Sequence, residues 1–286
     1  MKDVLATIEA LYPKMSKGHR RIADVITEDR ERAAYLTAAA LGTLAKVSES
    51  TVVRFAAELG FDGYPHFQRA LQELLRTRLT PGERIDAMGH RVGNADLVDK
   101  VMGSDIARIK FTMEHLDREA FGAAVDALLS ADNIYLFGAR SASMLSGFLG
   151  MNLGLIFDNV KTLQPTSASE VFEQLLPIGP RDVLLAISFP RYSQKLVKAV
   201  RYAHDRGARV IALTDTVTSP IAADATYLLT AQSDMASFVD SLVAPLSIIN
   251  AIVVATARKK ENEVAKRLRR LEAIWDEYEV YDKHKR

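Results

Sequence analysis

The chain has 286 residues, more than one small core uses and about what two ordinary domains need. Its 48% hydrophobic and 26% charged residues are those of a globular protein, and a formal net charge of +1 excludes a global field that would draw in a polyanion. Any nucleic-acid surface must therefore be local, and the absence of cysteine excludes disulfides, thiolate nucleophiles and cysteine-ligated metals.

In chain order, residues 1–78 alternate helical patterns with short breaks and carry no strand signal. The opening run MKDVLATIEALYPKM reads as an amphipathic helix and a turn. It lacks the apolar core and cleavage site of a signal peptide, so a cytoplasmic protein is expected. Thr37 can cap a helix whose Leu41, Leu44 and Ala45 share one face, and Val47 interrupts it at a tight turn. Ser48 is a good N-cap for a second helix, and Glu49 suits its positive end. Val52, Val53, Phe55, Ala56 and Leu59 are the expected buried stripe, and Gly60 is a stop.

Two short helices joined by a tight turn form a helix-turn-helix unit, whose second helix can enter the major groove of DNA. The expected DNA-facing set is Lys46, Ser48, Glu49, Ser50, Thr51 and Arg54. Arg54, the one long cation of that helix, is the candidate for guanine or phosphate, with Lys14, Lys17, Arg20 and Arg21 placed for flanking phosphates. Spacing alone equally allows a capped helical hairpin that binds no DNA.

Residues 80–94, TPGERIDAMGHRVGN, have the proline, glycine and charge of a linker, and 96–116 and 119–130 are again helical. The rhythm then changes. Short apolar runs at 133–137, 160–163, 182–187, 209–213 and 226–229 are separated by helical segments, the pattern of a parallel sheet covered on both faces. The run 242–257 is too short for a bilayer and is broken by Pro245 and Asn250. A buried helix is expected there, with no membrane partner. A charged helix bearing Val264, Leu268, Leu271, Ile274 and Trp275 on its apolar side follows. The expected fold is an all-α helix-turn-helix domain (1–78), a linker and connecting helix (79–118), a three-layer α/β domain with a parallel sheet (119–258) and a C-terminal amphipathic helix (259–286).

Ligands of an open parallel sheet bind beyond the carboxyl ends of its strands. The loops there carry Gly138–Ser143, Ser188–Ser193 and Thr214–Thr216. Hydroxyls and free N–H groups at helix starts make an anion site, to which Arg140 and Arg191 add charge. The candidate effector set is Arg140, Ser141, Ser143, Ser188, Arg191 and Ser193; for Ser143 and Ser193 the plainer role is helix capping. Ser167 and Glu170 have capping-box spacing, which makes Glu170 structural. Gly147, Gly150 and Gly154 thin one helix for close packing on the sheet or on a partner. No cofactor and no metal ligand set is expected.

Two runs carry a family resemblance. From Val47 to Gly63 and Tyr64, V-S-E-S-T-V-V-R-F-x-x-E-L-G-F-x-G-Y resembles the recognition-helix signature of the RpiR/MurR regulators, with Lys46 at a turn position often taken by glycine. F-G-A-R-S-A-S, L-L-A-I-S-F-P-R-Y-S and G-A-R-V-I-A-L-T-D, within residues 120–257, resemble the SIS (sugar isomerase) domain of those regulators. The resemblance implies binding to double-stranded operator DNA. It implies a phosphosugar site in which Ser141, Ser188 and Ser193 stand where the family's Ser and Thr hold phosphate. Arg140 replaces a loop glycine, and Phe189, Pro190 and Arg191 replace the middle of the second loop. An acidic sugar, or a phosphate gripped by arginine, fits those substitutions equally well.

The expected function is transcription regulation by a homodimer or higher homo-oligomer, controlled by a small, anionic carbohydrate-derived effector. One rival is a phosphosugar aldose–ketose isomerase, for which His115 and His204 are the nearest imidazoles although neither lies in a post-strand loop; a Glu near position 170 can also serve as base in such enzymes. The other rival is an SIS domain that only dimerises the protein.

Overall fold

The computed structural model describes residues 4–78, 97–233 and 240–281, in two compact units. The linker expected at 80–94 lies outside the described residues.

The first unit is all helical: α1 (Val4–Leu11), a 3-10 turn (Tyr12–Lys14), α2 (Lys17–Glu28), α3 (Arg30–Ala33), α4 (Ala38–Ala45), α5 (Glu49–Glu58) and α6 (Tyr64–Arg78). Four of these helices start on a side chain. Ser16, Asp29, Thr37 and Ser48 accept hydrogen bonds from the N–H groups of His19, Arg32, Ala40 and Thr51, each cap worth about 1 kcal/mol. The core gathers Ile22, Ile26, Leu41, Val52, Phe55, Leu59, Phe67 and Leu71, all fully buried. Phe55 and Phe67 meet edge to face at 5.7 Å. The long α6 reaches back to the α3–α4 connection, where Tyr64 Oη and Gln68 Nε2 donate to the Leu36 carbonyl at 2.7 and 2.6 Å.

Two apolar positions depart from the expected stripes. Leu44 and Val53 are 38% and 40% exposed. Each sits next to a position that does face the core, and one residue along a helix turns the side chain by about 100°.

The second unit opens with α7 (Leu97–His115) and α8 (Arg118–Leu129). Then follow β1 (Ile134–Gly138), α9 (Ala142–Gly154), β2 (Val160–Thr162), α10 (Ala168–Leu175), β3 (Val183–Ile187), α11 (Gln194–Asp205), β4 (Arg209–Thr214), β5 (Tyr227–Thr230), α12 (Val243–Lys259) and α13 (Glu261–Glu277). The five strands are parallel in the order β2-β1-β3-β4-β5, with Ile134 opposite both Val160 and Val183. Every residue of β1 and β3 is buried, because both faces of the sheet are covered. One face packs Leu136, Leu185 and Ile211 against Leu128, Leu149 and Ile249 of α8, α9 and α12. The other packs Leu184, Ala186 and Val210 against Val171 of α10 and Leu196 and Val200 of α11. The result is three layers.

The expected buried helix is α12, and it is buried on one side only: Ile248, Ile249 and Ile252 face the core while Asn250, Ala251 and Val254 face outward. Pro245 falls in its first turn, where a missing N–H costs no helical bond. Among the described residues no helix is long and apolar enough to cross a membrane. Of the three thinning glycines only Gly150 is forced by packing, since a Cβ there would stand 2.2 Å from Thr162 Oγ1 on β2; Gly147 and Gly154 face open space.

Candidate functional site

The turn between α4 and α5 is built backbone first. Lys46 ends α4 in the left-handed region at φ 52°, the conformation for which glycine is the easy residue. Its N–H donates to the Thr43 carbonyl, and the N–H of Val47 returns to that of Gly42 at 2.9 Å. Ser48 then caps α5, its Oγ also 2.8 Å from Thr51 Oγ1 and 2.9 Å from Ser50 Oγ.

Lys46, Ser48, Glu49, Ser50 and Arg54 are all exposed on this surface. Thr51 is not: it is half-buried beside Gly18 of α2, because its methyl is turned toward the domain. Arg54 extends from α5 with one guanidinium nitrogen 3.4 Å from Thr51 Oγ1. Arg21 of α2 approaches the Lys46 carbonyl at 3.4 Å, which brings a further cation to the turn. At the far end of α5, Glu58 meets Nδ1 of the buried His19 at 2.6 Å and fixes α2 against the recognition helix.

In the second unit, the strand order places the switch in winding direction between β1 and β3, where ligands of such sheets are bound. A cavity of about 700 Å³ opens there, at the carboxyl ends of β1 and β2. Its walls are Gly138–Arg140 at the end of β1, Ser143, Ser146 and Phe148 of α9, Thr162–Pro165 at the end of β2, and Ser193 with Lys195 at the start of α11.

Three of the six expected effector residues, Arg140, Ser143 and Ser193, line this cavity. Ser143 Oγ donates to the Arg140 carbonyl at 2.6 Å, so it braces the loop and does not cap α9. Ser193 occupies the N-cap position of α11 without a side-chain cap bond, so its hydroxyl is not spent on the helix. The other three lie elsewhere. Ser141 is exposed at the start of α9. Ser188 is buried, and its N–H extends the β3–β4 ladder to the Leu213 carbonyl at 3.1 Å. Arg191 is exposed, because Phe189 and Pro190 before it turn into the core.

Arg140 and Arg191 share one backbone feature: both are left-handed, at φ 58° and 64°. Arg140 thus holds a conformation that glycine adopts without strain. Sequence reasoning missed Lys195 and the stretch 162–165. Lys195 lies beyond the loop, and its Nζ reaches the Pro165 carbonyl at 3.4 Å. Arg140 and Lys195 give the cavity two cations, and none of its lining residues bears a carboxylate. The third post-strand loop is tied to the second, as Tyr192 Oη donates to Asp215 Oδ1 at 2.8 Å.

Glu170 is a structural residue. Its carboxylate accepts from Thr166 N–H at 2.6 Å and Thr166 Oγ1 at 2.7 Å, and those bonds hold its pKa below the usual glutamate value. The expected box is shifted by one residue, since the N–H it satisfies precedes the cap Ser167. A carboxylate so stabilised is a poor proton acceptor. His115 is exposed at the end of α7 with Nδ1 2.8 Å from the Phe111 carbonyl, and His204 is exposed on α11. Neither imidazole lines the cavity.

Residues 2–78 match the helix-turn-helix domain of the rpiR family, and residues 127–255 match the SIS domain. This chain belongs to the RpiR family of transcription regulators. Over 282 residues it is 27% identical to the HTH-type transcriptional regulator HexR of Escherichia coli, covering 94% of this chain and 93% of that protein. HexR of Pseudomonas aeruginosa is 25% identical over 280 residues, 95% of each chain. The sugar isomerase domain of an RpiR transcription factor from Sphaerobacter thermophilus superposes with a TM-score of 0.60 at 26% identity, over 62% of this chain and 99% of that one. The Vibrio vulnificus NanR protein complexed with ManNAc-6P shares the fold over 96% of this chain and 98% of its own, with a TM-score of 0.60 at 20% identity. This RpiR-type regulator therefore joins a DNA-binding domain to an SIS domain. Both HexR proteins are named as transcriptional regulators.

Proposed function

We propose that this regulator binds operator DNA as a dimer and is switched by an anionic carbohydrate derivative held in the SIS cavity. The observation that carries the reading is the cavity's charge: Arg140 and Lys195 converge with Ser143, Ser193 and Thr162, with no acidic side chain among the lining residues. That set matches a phosphate or carboxylate on a polyhydroxylated body, as charge-assisted bonds and hydroxyl donors meet the same small volume. Ser141, Ser188 and Arg191 frame the two loops in this reading, and Arg140, Ser143, Ser193 and Lys195 meet the ligand. The relative from Vibrio vulnificus carries a phosphorylated sugar, which agrees in chemical class.

On DNA, Arg54 reads a base while Ser48, Glu49 and Ser50 lie along the groove edge and Lys46 meets phosphate. A thermal-shift screen against sugar phosphates, sugar acids and free sugars tests the effector reading. A hit must then alter binding to an operator selected from random duplexes. Stabilisation by neutral sugars alone, or an operator affinity indifferent to every hit, overturns it.

A further inference from the structure

The C-terminal half of α13 is largely uncovered by its own subunit among the described residues. α13 contains no buried residue, and its apolar packing on the sheet domain reaches only as far as Val264. Beyond that point Leu268 and Ile274 are exposed on the helix, and Tyr278, Val280 and Tyr281 are exposed after it. A row of unburied apolar side chains on a regular helix calls for a covering surface.

The charge along this segment is divided. Between residues 258 and 270 stand seven cations and two carboxylates; between 271 and 281 stand four carboxylates and no cation. The basic half borders a groove on the side of the domain where β1 and β2 begin, floored by Leu129, Ile156 and Phe157. Two of the cations lining this groove are already paired: Lys260 with Glu263 at 2.6 Å and over the Phe157 ring at 5.2 Å, and Arg267 with Asp158. Lys266 and Arg270, on the same wall, have no acidic partner among the described residues.

We infer that the occupant of this groove is the C-terminal end of α13 from a second copy of the chain, with the two helices antiparallel. The acidic, aromatic end supplies what the groove lacks: carboxylates for Lys266 and Arg270, and apolar surface for the floor. In a two-fold arrangement the same contact forms twice, because each subunit offers one groove and one tail. An axis near Glu272 brings the partner subunit's Glu277 and Glu279 to the level of Lys266 and Arg270, within about two helical turns at 1.5 Å per residue. The inference rests on the reading of the protein as a dimer and names the surface that makes it one.

Reversal of charge tests it on the full-length protein by sedimentation velocity. Lys266→Glu with Arg270→Glu makes groove and tail both negative; Glu277→Lys with Glu279→Lys makes both positive. Each double variant alone should raise the dimer dissociation constant at least about tenfold, since like charges face each other at both contacts. Mixed one to one, the two should form a heterodimer of near wild-type stability, because each then meets its opposite twice. That recovery also shows that both variants are folded. Wild-type dimerisation in each variant alone overturns the interface and leaves operator binding and effector control untouched. Loss in both variants without recovery on mixing overturns it as well. A wild-type chain that stays monomeric at every concentration removes the dimer along with the interface.

Discussion

Gly42 and Val47 are in contact across the turn of the helix-turn-helix unit, so closely that a Cβ on Gly42 would stand 2.9 Å from the Val47 carbonyl oxygen. That oxygen belongs to the backbone and has no rotamer by which to escape. Gly42→Ala gains about 1 kcal/mol of helix propensity but meets an overpacking cost of about 1–3 kcal/mol. The domain should lose stability on balance, and operator affinity should fall as α5 is pushed off its seat. Chemical denaturation and a gel-shift titration check both. A variant at least as stable as wild type, with unchanged affinity, refutes the tight-turn account.

Lys46 separates strain from charge. Lys46→Gly should stabilise the domain by about 1 kcal/mol, since a left-handed non-glycine residue costs that order of energy. If Lys46 meets phosphate as proposed, the same change should weaken binding to all duplexes and flatten the salt dependence slightly. Lys46→Ala should weaken binding equally with no gain in stability. A glycine variant that binds DNA as well as wild type removes Lys46 from the phosphate contact.

Arg54 is exposed on α5 and braced by Thr51. Arg54→Ala should cost about 1–3 kcal/mol of operator affinity and relax specificity at one position per half-site. Selection from random duplexes with wild type and variant reads this directly. Identical selected sequences show that Arg54 touches only the backbone.

At the SIS cavity, Arg140→Ala with Lys195→Ala should leave folding and operator affinity intact and abolish the response to the anionic effector. Arg191→Ala, outside the cavity lining, should respond normally. Calorimetry with the effector found in the screen distinguishes them. Wild-type affinity in the double variant, or loss of response in Arg191→Ala, places the anion elsewhere.

Glu170 gives a pH signature. Its folded pKa lies below the ordinary value of 4.5, because Thr166 bonds its ionised form. Its contribution is therefore fully present above that value and is lost as pH falls through the folded pKa. Wild type should melt above Glu170→Gln at neutral pH, and the two curves should converge on acidification below 4.5. A gap that stays constant with pH shows that the carboxylate's charge is irrelevant.

The strands were legible because parallel strands covered on both faces are uninterrupted apolar runs. The run 182–187 reads as a strand, and β3 is Val183–Ile187. The caps Thr37 and Ser48 were equally plain, since each satisfies an N–H three residues on. What remained hidden depends on strand order. Only the placement of β2 beside β1 brings residues 162–165 next to the Arg140 loop, and no periodicity encodes that adjacency. Lys195 was missed because it sits within a helix, where a lysine ordinarily reads as a solvated surface residue. Phe189 and Pro190 had a signal, two apolar residues in a loop otherwise made for polar contact, and their burial explains why Arg191 is turned away.

Arg140 holds a conformation that glycine would take at no cost, and its Cβ narrows the angles open to that loop. A glycine there would let the loop sample many shapes before a ligand arrived, and binding would have to freeze them. On the reading proposed above, arginine sets the loop's N–H groups in advance, which leaves the effector less ordering entropy to overcome. The strain is borne continuously by the free protein, and on that reading it is exchanged for a receptor already shaped when its signal arrives.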